Sequence, residues 1–317
     1  MPEMRDDPRP ISGGSLSEAE LRTAVAWPAA RERAESPFGQ AVRRLRRSAT
    51  ALVGAAIVAL LVIVAIFADV LAPQNPTATD QTNTFSRPSW EHPLGTDQLG
   101  RDMLSRAIHG TRISLLVGVS SVLLALFVGV PLGMVAGYYG GRVDTLVMRV
   151  MDLILAFPIY LLAVILMVIF TPTAGLLGTI KVTGAIAIVR IPIYARLVRG
   201  SVLSIKEKEY VEACRALGVR DPWIIFGHVL PNCLAPIIVT TTLGIATSII
   251  VEATLSFLGL GTQPPTPSWG WDLKANVAFI QANLWLSLFP GLAIFVTVLG
   301  FNLFGDGLRD ALDPRLK

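Results

Sequence analysis

The run Ala49–Ala68, ATALVGAAIVALLVIVAIFA, carries no charge over 20 residues. At about 1.5 Å of helix rise per residue, that length crosses a hydrocarbon core roughly 30 Å thick. Four further stretches read the same way: Ile113–Gly141, Leu153–Ile180, Pro222–Val251 and Ala275–Gly305 contain no Asp, Glu, Lys or Arg. Composition agrees, since 52% of the 317 residues are hydrophobic and only 16% charged, where a soluble domain carries about 25% charged residues. The expected fold class is therefore an all-α polytopic membrane protein. Gly and Pro show no period and there are only two cysteines, which excludes collagen-like and disulfide-scaffold classes.

The first run follows Arg43-Arg44-Leu45-Arg46-Arg47, a possible entry to an export signal. It is longer than the roughly 7–15 residues of a signal core, and its exit offers no clear small-residue cleavage site. It is expected to persist as a transmembrane helix over 49–72, stopped by Pro73 and Pro76. Further spans are expected at 113–136, 147–170, 182–199, 233–255 and 284–305, six in all. The fourth is the odd one, because Arg190 interrupts it and Ile191-Pro192 follows. Charge placement supports it. With the N-terminus inside, 20 of the 27 Lys and Arg fall in inner segments, six fall outside and Arg190 lies within a span; removing the fourth span scrambles this positive-inside pattern. The expected organisation is a mostly disordered cytoplasmic tail 1–48, the first helix 49–72, an extracytoplasmic segment 73–112, a five-helix core 113–305 and a cytoplasmic tail 306–317. Both termini are then cytoplasmic.

The longest inner loop, 196–231, reads as two helices with a turn. Val202–Leu217 lacks Gly and Pro and places Tyr210, Ala213, Cys214 and Leu217 at i, i+3, i+4 and i+7, a narrow apolar stripe. Gly218 fits a left-handed C-terminal cap, and Asp221-Pro222 an N-cap followed by proline at the first helical position. A short amphipathic helix ending in a sharp turn suits insertion into another protein's groove.

These residues carry a family resemblance. Glu212-Ala213-Cys214, then Gly218, then His228-Val229-Leu230-Pro231 resemble the EAA loop of ATP-binding-cassette importer permeases, with Cys214 in place of the second alanine and His228 where isoleucine is common. The likeness extends over about 92–317. His92-Pro93-Leu94-Gly95-Thr96-Asp97, Phe257-Leu258-Gly259-Leu260-Gly261, Pro264–Gly270 and Gly305–Pro314 resemble the C-type permease subunit of dipeptide and oligopeptide importers. The resemblance implies a type I importer fold in a bacterial inner membrane. It also implies a second homologous permease alongside, two cytoplasmic ATPases and an extracytoplasmic solute-binding protein. The coupling residues it implies are Tyr210, Glu212, Ala213, Cys214, Gly218, Leu230 and Pro231. Glu212 would accept a hydrogen bond or ion pair from the ATPase, or stand merely as a solvated helix charge.

Other polar residues leave alternatives open. Glu252, near the outer end of the fifth span, belongs to a pathway or gate, or else to a structural hydrogen-bond set. Trp269, in the segment Trp269-Gly270-Trp271, fits a headgroup belt, or contact with the binding protein or an outer gate. Arg190 pairs with Glu252 or Asp152, or reaches headgroups. No cofactor, metal or nucleic acid is expected: there is no phosphate-binding loop, and the three histidines have no Cys or His at ligand spacing. A membrane enzyme finds no catalytic motif to support it, and an ion-coupled carrier no inverted repeat. Short peptides are the expected cargo, with a nickel chelate, glutathione or another small solute as the alternative.

Overall fold

The computed structural model describes residues 37–312. The chain divides into a short unit, Met1–Gln40, of which only residues 37–40 are described, and a unit Ala41–Lys317 that holds every element after the first helix. The expectation of a disordered tail falls largely on residues 1–36, outside the described residues. From Pro37 onward the described residues begin with α1 (Pro37–Leu45), which is helical. Pro37 opens that helix at a position where the missing N–H costs nothing.

The helix α2 (Ala49–Ile66) starts at Ser48, whose hydroxyl accepts from the Ala51 amide at 3.3 Å. Expected as one piece over 49–72, it breaks at Phe67, and a single turn, α3 (Ala68–Leu71), follows. The next long helix, α4 (Met103–Tyr139), begins ten residues before the expected edge. The reason is Asp102, which caps it by accepting from the Ser105 amide at 2.7 Å and the Ser105 hydroxyl at 2.6 Å. At 37 residues α4 is about 55 Å long and outreaches the bilayer core.

Against α4 lies α7 (Gly175–Lys206). Gly129, Gly133 and Gly137 recur every fourth residue and so form one stripe on α4. A Cβ on Gly129 would stand 2.7 Å from the Ile191 carbonyl oxygen, and one on Gly137 2.8 Å from Val202 Cβ. The two backbones therefore meet directly, as small residues permit between membrane helices. The expected fourth span is present and longer than 182–199: α7 runs unbroken through Arg190 and Pro192, both buried.

The expected third span, 147–170, is not one helix. It is α5 (Gly141–Leu155) and α6 (Ile159–Phe170), bent by 88°. Pro158 lacks the N–H needed to continue α5 and disfavours helical backbone at Phe157 before it. Arg199 Nε and Nη2 donate to Asp144 at 2.5 and 2.6 Å, and Arg196 donates to Asp152, which fastens α5 to α7.

The expected helix over Val202–Leu217 is also two. α7 ends at Lys206 and α8 (Glu209–Ala216) restarts after Lys208, a redirection that turns Val211 into the core. After it come α9 (Asp221–Ile224), a π-helical turn Ile225–Val229, α10 (Leu230–Leu258), α11 (Trp269–Asn276) and α12 (Leu284–Leu312). Among the described residues, five helices are long and apolar enough to cross a membrane, or six if the bent pair is one span. All named elements among them are helical.

Candidate functional site

The loop between α7 and α10 is a rigid platform with an exposed upper face. Val211, Ile224, Ile225 and Val229 are buried and pack with Val198 and Val202 of α7 and with Tyr138 at the end of α4. Tyr138 donates its hydroxyl proton to Asp221 Oδ1 at 2.7 Å, and the Arg215 guanidinium lies 4.9 Å over the same ring. Lys206 Nζ donates to the Gly137 carbonyl at 2.9 Å. Thus α8 and α9 are both tied to the α4–α7 pair.

The turn between α8 and α9 is a complete Schellman motif. The Gly218 amide donates to Arg215 O at 2.9 Å and the Val219 amide to Cys214 O at 3.1 Å, with Gly218 at φ +76°. Those two bonds satisfy helix-end carbonyls, and the left-handed backbone is what a glycine adopts without penalty. A Cβ there would meet nothing within 4 Å, so the space beside Gly218 is open. The expected N-cap shifts by one residue: Arg220 caps α9, Asp221 is its first residue and Pro222 its second.

The coupling residues read from the sequence gather on this loop. Glu212, Ala213 and Gly218 are exposed, Tyr210 is 40% exposed and Cys214 is half-buried. Among the described residues Glu212 makes no hydrogen bond or ion pair through its side chain, so its carboxylate is available. Leu230 packs against the core beneath, while Pro231 is exposed at the start of α10. Asn232 Nδ2 donates to His228 O at 2.7 Å and to the Tyr210 hydroxyl at 3.4 Å, which joins both halves of the loop. The stripe through Tyr210 and Leu217 faces outward rather than into the chain, since Val211 takes the buried position. Trp223 was not singled out from the sequence, and Leu217 was named only as the end of the apolar stripe. Leu217 is 83% and Trp223 74% exposed on either side of Gly218, and an apolar pair flanking a capping glycine was the available signal.

At the far end of α4 the polar groups are paired and buried. Arg106 donates from Nε and Nη2 to Asp272 Oδ1 at 2.8 and 2.5 Å and from Nη1 to Pro76 O at 3.1 Å. Glu252 is fully buried, and it accepts from the hydroxyls of Ser114 at 3.3 Å, Ser256 at 2.8 Å and Ser268 at 3.1 Å. It therefore joins α4, α10 and the segment entering α11. Trp269 is fully buried, with Nε1 donating to Ala107 O at 2.9 Å. A headgroup belt needs a side chain facing lipid, so that expectation does not hold for Trp269. Asp69, just past α2, accepts from Arg112 at 3.1 Å and contacts His109 Nε2 at 3.2 Å, and these partners hold its carboxyl below the ordinary value of 3.8. Arg190 pairs with neither expected carboxylate: it donates to the Thr247 hydroxyl, while Asp152 is taken by Arg196.

Comparison with known proteins places this geometry. Residues 129–317 match the model for the binding-protein-dependent transport system inner membrane component. Residues 36–88 match the N-terminal TM domain of oligopeptide transport permease C. The chain is 46% identical over 284 residues, 90% of its length and 92% of the relative's, to a dipeptide transport system permease protein of Alkalihalophilus pseudofirmus. It is 44% identical over 285 residues, 89% of its length and 92% of the relative's, to a glutathione transport system permease protein of Pectobacterium atrosepticum. Among solved structures it resembles a chain of the MetNI methionine ABC transporter, with a TM-score of 0.54 and 19% identity over 67% of this chain and 98% of that one. The chain is a multi-pass membrane protein that belongs to the binding-protein-dependent transport system inner membrane component family.

Proposed function

We propose that this chain is the permease subunit through which an ATP-binding-cassette importer moves short peptides across a bacterial inner membrane. It alternates access while ATP is hydrolysed on partner subunits. Relatives named for dipeptide and for glutathione transport both carry peptide cargo, and the former is the more similar of the two. The working complex in this reading has a second homologous permease, two cytoplasmic ATPases and an extracytoplasmic solute-binding protein, with both termini of the chain cytoplasmic.

The observation that carries the reading is the bare, rigid face around Gly218. Leu217 and Trp223 stand exposed on a platform whose underside is locked by Tyr138–Asp221 and by Val211. Apolar groups fixed in that way dock without further ordering, which lowers the entropic cost of association. Glu212, free beside them, supplies a charge-assisted hydrogen bond to the ATPase. Glu252 and Trp269 serve in this reading as fasteners of the opposite end. The chain supplies motion and a path rather than catalytic groups.

Proteoliposomes holding the chain with its partner subunits test the proposal. Uptake of radiolabelled dialanine should require both ATP and the solute-binding protein. Uptake driven by a proton or sodium gradient without ATP would instead establish the ion-coupled carrier.

A further inference from the structure

Two buried arginines near the start of α4 have carboxylates: Arg101 with Asp97 at 2.6 Å and Arg106 with Asp272 at 2.5 Å. Arg190, 8% exposed in the middle of α7, has none. Among the described residues its side chain bonds to one neutral group, the Thr247 hydroxyl on α10. The two carboxylates that the sequence offered as partners are committed elsewhere, Glu252 to three serines and Asp152 to Arg196. A guanidinium offers five N–H donors and keeps its charge at any physiological pH. Held away from water without a counter-charge, it is costly enough that such groups in proteins are paired.

The space beside Arg190 shows where a counter-charge enters. A cavity of about 20 Å³ lies against it, lined by Ile159, Ile186, Val189, Ile193 and Val251. That is room for about one water, or for one oxygen of an incoming group. The lining is otherwise apolar, so Arg190 is the polar feature that an entering ligand would recognise. Ile159 is 42% exposed and is the first residue of α6, at the 88° break from α5. One wall of the cavity is therefore a helix end rather than a continuous helix. A group that arrives and leaves needs only the wall at Ile159 to part.

We infer that Arg190 is a binding site for the carboxylate of the transported solute, namely the C-terminal carboxylate of a short peptide in transit. The inference rests on the peptide reading proposed above. The cavity as it stands admits one carboxylate oxygen, and bidentate engagement by the guanidinium fork follows once the wall at Ile159 parts, while the Thr247 contact from α10 steadies one of its nitrogens. Preference for a free C-terminus would then be applied inside the membrane.

The test uses the whole reconstituted complex and two probes, dialanine and its C-terminal amide, both at concentrations that saturate uptake. In Arg190→Met, dialanine uptake should fall at least tenfold while uptake of the amide is unchanged. Arg190→Lys, which keeps the charge without the fork, should fall between the two. Assembly by size exclusion and basal ATP hydrolysis should match the wild type in both variants. Equal loss of both peptides with intact assembly would make Arg190 a counter-charge for the neighbouring permease or a packing element, and would overturn the inference. Undiminished dialanine uptake in Arg190→Met would overturn it too. If the wild-type complex takes up neither peptide, the peptide reading itself fails and the inference with it, an outcome distinct from the other two.

Discussion

Gly218 separates shape from conformation, because nothing stands within 4 Å of where its Cβ would be, yet its φ is +76°. Two demands therefore fall on one residue. The turn needs a left-handed backbone, which costs an ordinary L-residue about 1–2 kcal/mol. A docking partner, in the proposed function, needs the open space itself. Gly218→Ala pays the first cost and adds only a methyl group, so local opening of the turn should rise about 5–30-fold, read as faster exchange of the Val219 amide. Gly218→Asn tolerates the left-handed region, so Val219 should stay near wild-type protection while a longer side chain fills the open face. Gly218→Leu incurs both penalties. The assay is ATP hydrolysis stimulated by peptide-loaded binding protein in the reconstituted complex. Gly218→Asn and Gly218→Leu should both lose at least tenfold, equivalent to about 1.4 kcal/mol of docking free energy, with Gly218→Ala losing less. Full stimulation in Gly218→Asn, with the Val219 amide still protected, would show that only the turn matters and would refute docking at this face.

Other outcomes follow from the far end of α4. Arg106→Met leaves Asp272 buried without its counter-charge and should cost about 3–5 kcal/mol, whereas the double variant with Asp272→Leu should recover much of that; thermal unfolding of the detergent-solubilised chain reads both. Glu252→Ala strips an acceptor from Ser114, Ser256 and Ser268 and should destabilise by about 1–3 kcal/mol for each hydroxyl left unsatisfied, while Glu252→Gln, which keeps an accepting oxygen, should cost less in the same measurement. Asp69 has a lowered carboxyl pKa because Arg112 first and His109 second hydrogen-bond it. Its stabilising contribution is therefore present above the ordinary value of 3.8 and is lost only as pH falls through the lower folded value. Amide exchange in Val70–Ala72 should not loosen between about pH 7 and 5, and loosening there would count against the clamp.

The helices were legible because uncharged runs of membrane length leave few alternatives, and α7 was legible despite Arg190 because the distribution of Lys and Arg required it. Proline was the ambiguous sign. Pro158 separates α5 from α6, yet Pro131, Pro192, Pro236 and Pro290 sit inside continuous helices. What differs is the packing around each, which spacing along the chain does not encode. The loop between α7 and α10 was readable down to its capping glycine, because a left-handed cap has a local cause. Which face of α8 is buried was not, since Val211 and Tyr210 are neighbours on the helix and only the position of α7 decides between them. Nor was the pairing of Arg106 with Asp272, 166 residues apart. The glycine stripe on α4 was present in the sequence as a four-residue repeat and needed only to be read as a contact.

From Asp221 to Leu258 the chain is helical without interruption for 38 residues, about 57 Å end to end. It begins just past the Gly218 turn and carries Glu252 near its other end. Such a segment is a lever: a tilt of about 10° around its midpoint displaces each tip by about 5 Å, several times the tolerance of a hydrogen bond. Its weak joint is the π-helical turn at Ile225–Val229, where the winding widens and a helix bends most readily. In the proposed function, a push at the Gly218 turn that is absorbed at this joint goes no further. One that is not absorbed arrives at the serine cluster around Glu252 as a displacement large enough to break it.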